Sequence, residues 1–290
     1  MTLAPSELIL NEDGSIYHLH LLPEQIADTI ITVGDPDRVE HVTRHFESVE
    51  FSTQKREFKT QTGLYKGKRL TVISTGIGTD NIDIVLNELD ALANIDFKSR
   101  CIKGNLKALN IIRLGTSGSI QQDIPVDSVL ISKKTLGFDA LLHFYESDSL
   151  RDRALEDAFI KHTNWNPEKS KPYCISADQK LFNHFIEDTI FSGITATNIG
   201  FYGPQGRKLR LNTQDPQMNK KLETFSFSGE SITNLEMETS GIYGLSLLLG
   251  HRALSINAIL ANRAKETFSS KPSQTVDAMI IWALDRIALL

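Results

Sequence analysis

The chain is poor in cysteine, has no excess of basic charge and contains no long apolar run. Only two of its 290 residues are cysteines, Cys101 and Cys174, and they lie far apart. That excludes a secreted disulfide framework and any cysteine-based metal spacing. Lysine and arginine number 31 against 36 aspartates and glutamates, a formal net charge of −5 with the signs interspersed. Nothing in that balance resembles the basic stripe of a nucleic-acid binder. An anionic ligand must therefore be held by a local cluster of donors rather than by the overall field. The longest apolar run, around Gly241 to Gly250, is too short to span a bilayer. Met1 to Asn11 has no basic stretch followed by an apolar one, so no signal peptide is expected. The expectation is a cytoplasmic protein with neither membrane nor nucleic acid as a partner.

Hydrophobic residues make up 40% and charged residues 23%, enough apolar material for a core without a disulfide or metal staple. No repeat, low-complexity tract or Pro/Gly/Ser-rich linker divides the chain, so residues 1–290 are expected to form a single domain. Within it, residues 1–16 would be an N-terminal extension, and the polar stretches 96–109 and 212–231 surface insertions. Elsewhere short β-branched runs alternate with glycine-containing loops and helical stretches. Strands are expected at Thr29–Val33, Leu70–Ser74, Asn110–Leu114, Ser128–Ser132, Ile194–Asn198 and Ala253–Ala261. Helices are expected over Val39–Phe46, Ile82–Leu92, Glu236–Leu249 and Val276–Leu290. Such alternation implies an α/β fold with a largely buried, mixed or parallel sheet. Ligands bind such sheets at the carboxyl ends of the strands.

Three predicted strand ends carry glycine loops: Gly34-Asp35-Pro36-Asp37-Arg38, Thr75-Gly76-Ile77-Gly78 and Gly115-Thr116-Ser117-Gly118. None is a Walker motif or a dinucleotide fingerprint. Asp35 suits a helix N-cap, Pro36 suits the first turn, and a helix N-terminus attracts anions. Guanidinium groups match phosphate oxygens bidentately. Gly34, Arg38, Arg113, Thr116 and Arg56 therefore form a candidate phosphate site, although each arginine alone also reads as a surface charge. In Asn234-Leu235-Glu236-Met237-Glu238 the acids either favour a helix start or, at Glu238, accept bonds from sugar hydroxyls, with Met237 packed on the sugar face. In Phe201-Tyr202-Gly203-Pro204-Gln205-Gly206-Arg207, Gln205 and Arg207 have the polarity to read a pyrimidine imide edge, with Phe201 stacked on the ring. A plain Gly-Pro surface turn is the alternative there. His18-Leu19-His20 and the pair His41 and His45 have metal-like spacing but no partner that completes a metal site. No Gly-x-Ser-x-Gly elbow is present.

Taken in order, these segments resemble the uridine phosphorylase branch of the nucleoside phosphorylase-I superfamily. The likeness runs through Tyr17-His18-Leu19, Val33 to Glu40, Arg56-Glu57-Phe58, Ser74 to Gly78, Arg113 to Gln121, Phe201 to Arg207, Leu235 to Glu238 and Asn262-Arg263. The resemblance implies a three-layer α/β/α fold with a central mixed sheet. It implies that Gly34, Arg38, Arg113 and Thr116 hold phosphate. Arg56 would be donated by a neighbouring subunit, as would His18, which meets the ribose 5′-hydroxyl. Met237 and Glu238 would hold ribose, Phe201, Gln205 and Arg207 the base, and Arg263 would support the base site. Arg38, Arg113 and Arg263 would be the catalytic groups.

The implied reaction is phosphorolysis of uridine to uracil and ribose 1-phosphate, a step in nucleoside catabolism and pyrimidine salvage. No organic cofactor or catalytic metal is implied, only phosphate as co-substrate and a monovalent cation near Glu57 and Ser74. The implied assembly is a homo-oligomer, a dimer or a trimer of dimers. Purine-preferring relatives carry an aspartate soon after the Asn-Arg strand end, and Asn262 to Glu266 has none. The sequence departs from the family pattern at Gly78-Thr79-Asp80, at Asp127-Ser128 and at Gly203-Pro204. The rival readings are another nucleoside phosphorylase or nucleosidase on the same fold, and a nucleoside-binding protein without turnover.

Overall fold

The computed structural model describes residues 2–290. The first half of the chain contains β1 (Thr29–Val33), α1 (Pro36–Thr43), β2 (Ser48–Lys55), β3 (Phe58–Tyr65), β4 (Lys68–Ser74), α2 (Thr79–Asn94), β5 (Ile95–Asp96), β6 (Cys101–Ile102), β7 (Asn110–Ser119) and β8 (Val129–Gly137). The second half contains α3 (Arg153–Thr163), β9 (Tyr173–Ser176), α4 (Gln179–Phe185), β10 (Phe191–Thr197), α5 (Met218–Thr224), β11 (Ser226–Phe227), β12 (Glu230–Glu236), α6 (Thr239–Leu248), β13 (Arg252–Asn262), β14 (Thr267–Phe268) and α7 (Pro272–Ala288).

Twelve strands make one mixed sheet in the order β11-β12-β10-β8-β13-β7-β1-β4-β3-β2, with β9 on β8 and β14 on β13. β1 is buried throughout and has parallel neighbours on both sides, β4 and β7. Its β-branched residues alternate between the two faces, as pleated strands require. Ile30 packs with Leu86 of α2 and Ile242 of α6. Ile31 packs on the opposite face with Val39 of α1 and Ile280 of α7. Helices on both faces of a mixed sheet make the three-layer α/β/α arrangement expected from the sequence. Each fully buried isoleucine contributes roughly 1.5–3 kcal/mol over an exposed one.

β12 also pairs antiparallel with the end of β7, through Leu235 opposite Gly118 and Asn234 opposite Ser119. The pairings therefore close β12, β10, β8, β13 and β7 into a ring. This corrects the expected end of β7 at Leu114. Gly115 to Gly118 looks like a loop in isolation, but parallel pairing with β13 continues to Ser119 opposite Asn262 and keeps it extended.

Two further boundaries move. The expected helix from Glu236 begins at Thr239, because Glu236 is the last residue of β12. Residues 212–231 are not surface throughout: Met218, Leu222 and Phe225 are buried with Phe159 and Ile194. Residues 96–109 contain all but the first residue of the β5–β6 hairpin; Ile102 and, beyond it, Leu106 are exposed, and Leu109 is buried. Among the described residues no helix is long and apolar enough to cross a membrane.

Candidate active site

The carboxyl ends of β1, β4 and β7 open onto one cavity of about 790 Å³, completed by the β12–α6 junction and the Phe201–Arg207 turn. At its β1 end, Gly34 leads into α1. Asp35 caps that helix by accepting from the Asp37 amide at 2.9 Å, and Pro36 fills the first turn. This sets Arg38 on the cavity wall, half-buried. The Arg38 guanidinium has no hydrogen-bond or ion-pair partner among the described residues. Burial, then the nearby Arg113, lowers its pKa, against the opposing pull of Asp35 and Glu238. A guanidinium held partly out of water with its donors free is arranged for an anion.

Arg113 is placed differently. It points into the closed ring and is buried, with Nη2 donating to Glu238 Oε2 at 2.7 Å and lying 3.3 Å from Glu236 Oε2. Nη1 donates to Asn257 Oδ1 at 2.8 Å. Burial pushes its pKa down, but Glu236 and Glu238 outweigh that and the net shift is upward. Gly115 has to be glycine here, because a Cβ on it would run into the Arg113 guanidinium. Thr116 lines the cavity beyond them.

The two acids divide their work. Glu236 Oε1 accepts from Thr197 Oγ1 at 2.6 Å, and its Oε2 accepts the amides of Glu238 and Thr239 at 2.9 Å each. It thus caps α6 from the preceding strand, the helix-start alternative of the sequence reading. Glu238 accepts the Gly78 amide at 2.9 Å on Oε1 and Arg113 on Oε2. Gly78 supplies that amide from a left-handed conformation, φ +99°, at the N-cap of α2. Burial pushes the Glu238 carboxyl up; Arg113 pulls it down and Glu236 adds to the rise, with a net upward shift. An ionised carboxylate has about four acceptor positions, so each Glu238 oxygen retains capacity for a ligand hydroxyl. Met237, between the two acids, lines the cavity.

At the far end, Gln205 is buried and its Oε1 accepts from Arg207 Nη1 at 2.7 Å. Arg207 also donates to the Phe201 carbonyl and lies 3.7 Å from the Phe201 ring centre. One face of Phe201 is therefore covered by guanidinium, which the sequence reading did not foresee. Arg263 donates to the Gln205 carbonyl at 2.6 Å and so holds the turn in place. Burial, then Arg207, pushes Arg263 down to about 10, which still leaves it cationic at neutral pH.

Of the sequence-predicted residues, Gly34, Arg38, Arg113 and Thr116 line this cavity together with Met237, Glu238, Phe201, Gln205, Arg207 and Arg263. Arg56 and His18 do not. Arg56 is exposed in the β2–β3 turn at φ +55°. His18 is held by Glu88 of α2, with Nδ1 2.7 Å from Oε1. The two lie on one surface, since Lys55 donates to the Tyr17 carbonyl at 2.6 Å. Glu57 lines the cavity, whereas Ser74 is buried with its hydroxyl donating to the Glu57 carbonyl at 2.5 Å and accepting the Lys59 amide at 2.8 Å. Among the described residues no three His, Cys, Asp or Glu cluster as a metal site.

Sequence reasoning missed Asn81, on the cavity wall in the first turn of α2, and Asn257 beneath Arg113. The signal for Asn257 was available: Ser255 and Asn257 interrupt an otherwise apolar buried strand. Asn81 carries no such mark, because polar residues are ordinary at a helix start.

Residues 28–290 match the phosphorylase superfamily, and the chain belongs to it. More narrowly, it is a member of the nucleoside phosphorylases, enzymes of the pentosyltransferase type. It is 28% identical to a uridine phosphorylase from Thermococcus kodakarensis, over 89% of this chain and 81% of the relative. It is equally 28% identical to a purine nucleoside phosphorylase from a Shewanella species, over 92% of this chain and 96% of the relative. Its fold is similar to a crystal structure of a Trypanosoma brucei nucleoside phosphorylase described as showing uridine phosphorylase activity. That match has a TM-score of 0.85 and 29% identity, and covers 96% of this chain and 99% of the other.

Proposed function

We propose that this chain phosphorolyses uridine, giving uracil and ribose 1-phosphate. The observation that carries the reading is one cavity lined by Arg38, Thr116 and the Arg113–Glu238 pair, by Met237, and by Gln205 with Arg207. Phosphate at the arginine end faces C1′ of the nucleoside. A phosphate oxygen bonds to C1′ as the C1′–N1 bond breaks, and the bonding pair leaves with the base. The proton of hydrogen phosphate passes to uracil, so the step balances with phosphate as the sole co-substrate and needs no organic cofactor.

Fixed donors contribute by holding charge where it develops. Arg38 binds the phosphate, and Arg113 links it to Glu238, which accepts from the ribose hydroxyls. The departing uracil takes donors from Gln205 Nε2 and Arg207, and Gln205 Oε1 keeps a second lone pair for the imide N–H. Arg263 holds the turn that presents them. Holding phosphate and C1′ in line lowers the barrier further, since orientation removes entropy from the activation step.

The reading includes a homo-oligomer in which His18 and Arg56 enter a neighbour's cavity. Both lie outside their own cavity, on one shared surface, with Arg56 exposed. The reading keeps a monovalent cation near Glu57 and Ser74: Ser74 holds the Glu57 carbonyl, and its hydroxyl, which accepts only the Lys59 amide, keeps a second lone pair.

The test is uracil release from uridine with and without phosphate, with inosine and thymidine in parallel. Phosphate-dependent release from uridine is expected. Turnover of inosine alone would move the assignment to a purine nucleoside and reject the role of Gln205 and Arg207. Release without phosphate would make the chain a nucleosidase, and binding without turnover would leave it a nucleoside-binding protein.

A further inference from the structure

The turn that carries Gln205 and Arg207 is held from outside the cavity. Helix α5 lies in the polar stretch 212–231, and its second residue is Asn219. Asn219 does not line the cavity, but its Nδ2 donates to the Gln205 carbonyl at 3.2 Å. The same carbonyl accepts from Arg263 at 2.6 Å. Both of its lone pairs are therefore taken, by one donor just beyond β13 and one on α5. The Asn219 amide lies against Gly206, at φ +70°, where a Cβ would run into it.

The helix that presents Asn219 is itself anchored. Met218 and Leu222 are buried in a cluster with Phe159 of α3 and Ile232 of β12. Asp215 pins the helix start: Oδ1 accepts the Gln217 amide at 2.9 Å and Oδ2 pairs with Lys221 at 2.7 Å. The backbone bonds inside the turn are local, from the Gln205 and Arg207 amides to the Tyr202 carbonyl and from Gly206 to Gly203. Local bonds keep the shape of a turn but not its place against the sheet. A short side chain on a fixed helix supplies that place.

The Asn219 amide has one workable orientation, since its reverse would set Oδ1 against the Gln205 carbonyl oxygen. In that orientation Oδ1 is buried without a partner. An unmatched buried acceptor is a cost to the fold that an apolar side chain of the same size would not carry. Departures of this kind from the best choice for stability collect at functional sites.

We infer that Asn219 is a positioning residue for base recognition, holding Gln205 and Arg207 where they meet the base, and that this is what α5 adds to the site. The inference rests on the proposed reading of Gln205 and Arg207 as the base-binding pair.

The test compares the parent with two variants. Asn219→Leu keeps the size and removes both the donor and the unmatched acceptor; Asn219→Asp keeps the shape and offers only acceptors. Activity and stability should separate. Asn219→Leu should unfold at a temperature no lower than the parent, while kcat/KM for uridine falls about 10- to 100-fold, as a displacement of up to about 1 Å produces. The KM for phosphate should not change, because Arg38 and Thr116 stand on other elements. Asn219→Asp should lose at least as much activity. Hydrogen exchange at the amides of Gln205, Gly206 and Arg207 should be about tenfold faster in Asn219→Leu, the effect of one lost hydrogen bond. Those exchange rates do not depend on the nucleoside. If the parent cleaves a different one, the kinetic comparison is made with that substrate, and only the uridine reading fails. Unchanged exchange in the turn, parent-level kcat/KM in either variant, or a loss in Asn219→Leu that tracks a lower unfolding temperature or a raised KM for phosphate overturns the inference.

Discussion

Arg38 and Arg113 look alike in the sequence but differ in what their removal should do. Arg38 has no partner, so Arg38→Ala should lower kcat/KM by about 100- to 1,000-fold, the usual loss for one preorganised donor. Its thermal stability should hold, and denaturation beside the assay checks both. Arg113→Ala should lose activity and also about 3–5 kcal/mol of stability, because Glu236 and Glu238 are then buried without their countercharge. Equal stability of the two variants would refute that division of roles. Glu238 adds a pH dependence. Its pKa is raised, so on acidification it is protonated before an ordinary glutamate, whose pKa is about 4.3. Protonation removes an acceptor and the countercharge of Arg113. At saturating phosphate, kcat/KM for the nucleoside should fall as pH drops through a value above that ordinary range, and Glu238→Gln should lack this limb. The arginines, Glu238, Gln205 and Arg207 were legible in the sequence because their residue types and neighbours carry the chemistry. The helix-start alternative for the acids was legible too, but not that Glu236 takes it from the preceding strand, nor that Arg207 covers Phe201, since both depend on directions fixed by remote packing.

At the scale of elements, α6 is unusual in being buried nearly all round, with small residues where other elements approach it. Gly244 lies against Leu142, and a Cβ there would clash with the leucine side chain. Gly244→Ala should destabilise the protein by about 1–3 kcal/mol, the usual cost of overpacking. A second change, Leu142→Ala, should relieve part of that cost, and a double-mutant cycle by chemical denaturation would measure the coupling. Helix α6 itself was legible from its apolar run, but its first residue was not. Glu236 completes strand β12 because β10 pairs beside it, Thr197 opposite Glu236, and no local propensity reports that pairing. The same holds for Gly115 to Gly118, whose composition suggests a loop and whose neighbours β13 and β12 make it strand. By contrast, the 4-then-3 spacing of Met218, Leu222 and Phe225 was a readable amphipathic signal within a polar stretch.

At the scale of the whole molecule, the proposed oligomer makes Arg38 and Arg56 parts of one site drawn from two chains. Arg38→Ala and Arg56→Ala chains, each impaired alone, should complement when mixed and reassembled. In a randomly reassorted dimer about a quarter of the sites would regain both arginines. An additive mixture with no recovery would place Arg56 outside the active site. The sequence by itself determined the α/β class, the core strands and the residue types of the proposed phosphate, sugar and base sites, because hydrophobic period, turn chemistry and functional groups are local properties. Only the tertiary structure decided which of them meet. Arg113, Glu238 and Gly78 come from β7, the β12–α6 junction and the start of α2, and they touch because the sheet closes through β12 and β7. Such contacts depend on strand order and register, which are set by the packing of the entire chain and leave no periodic mark in any one segment.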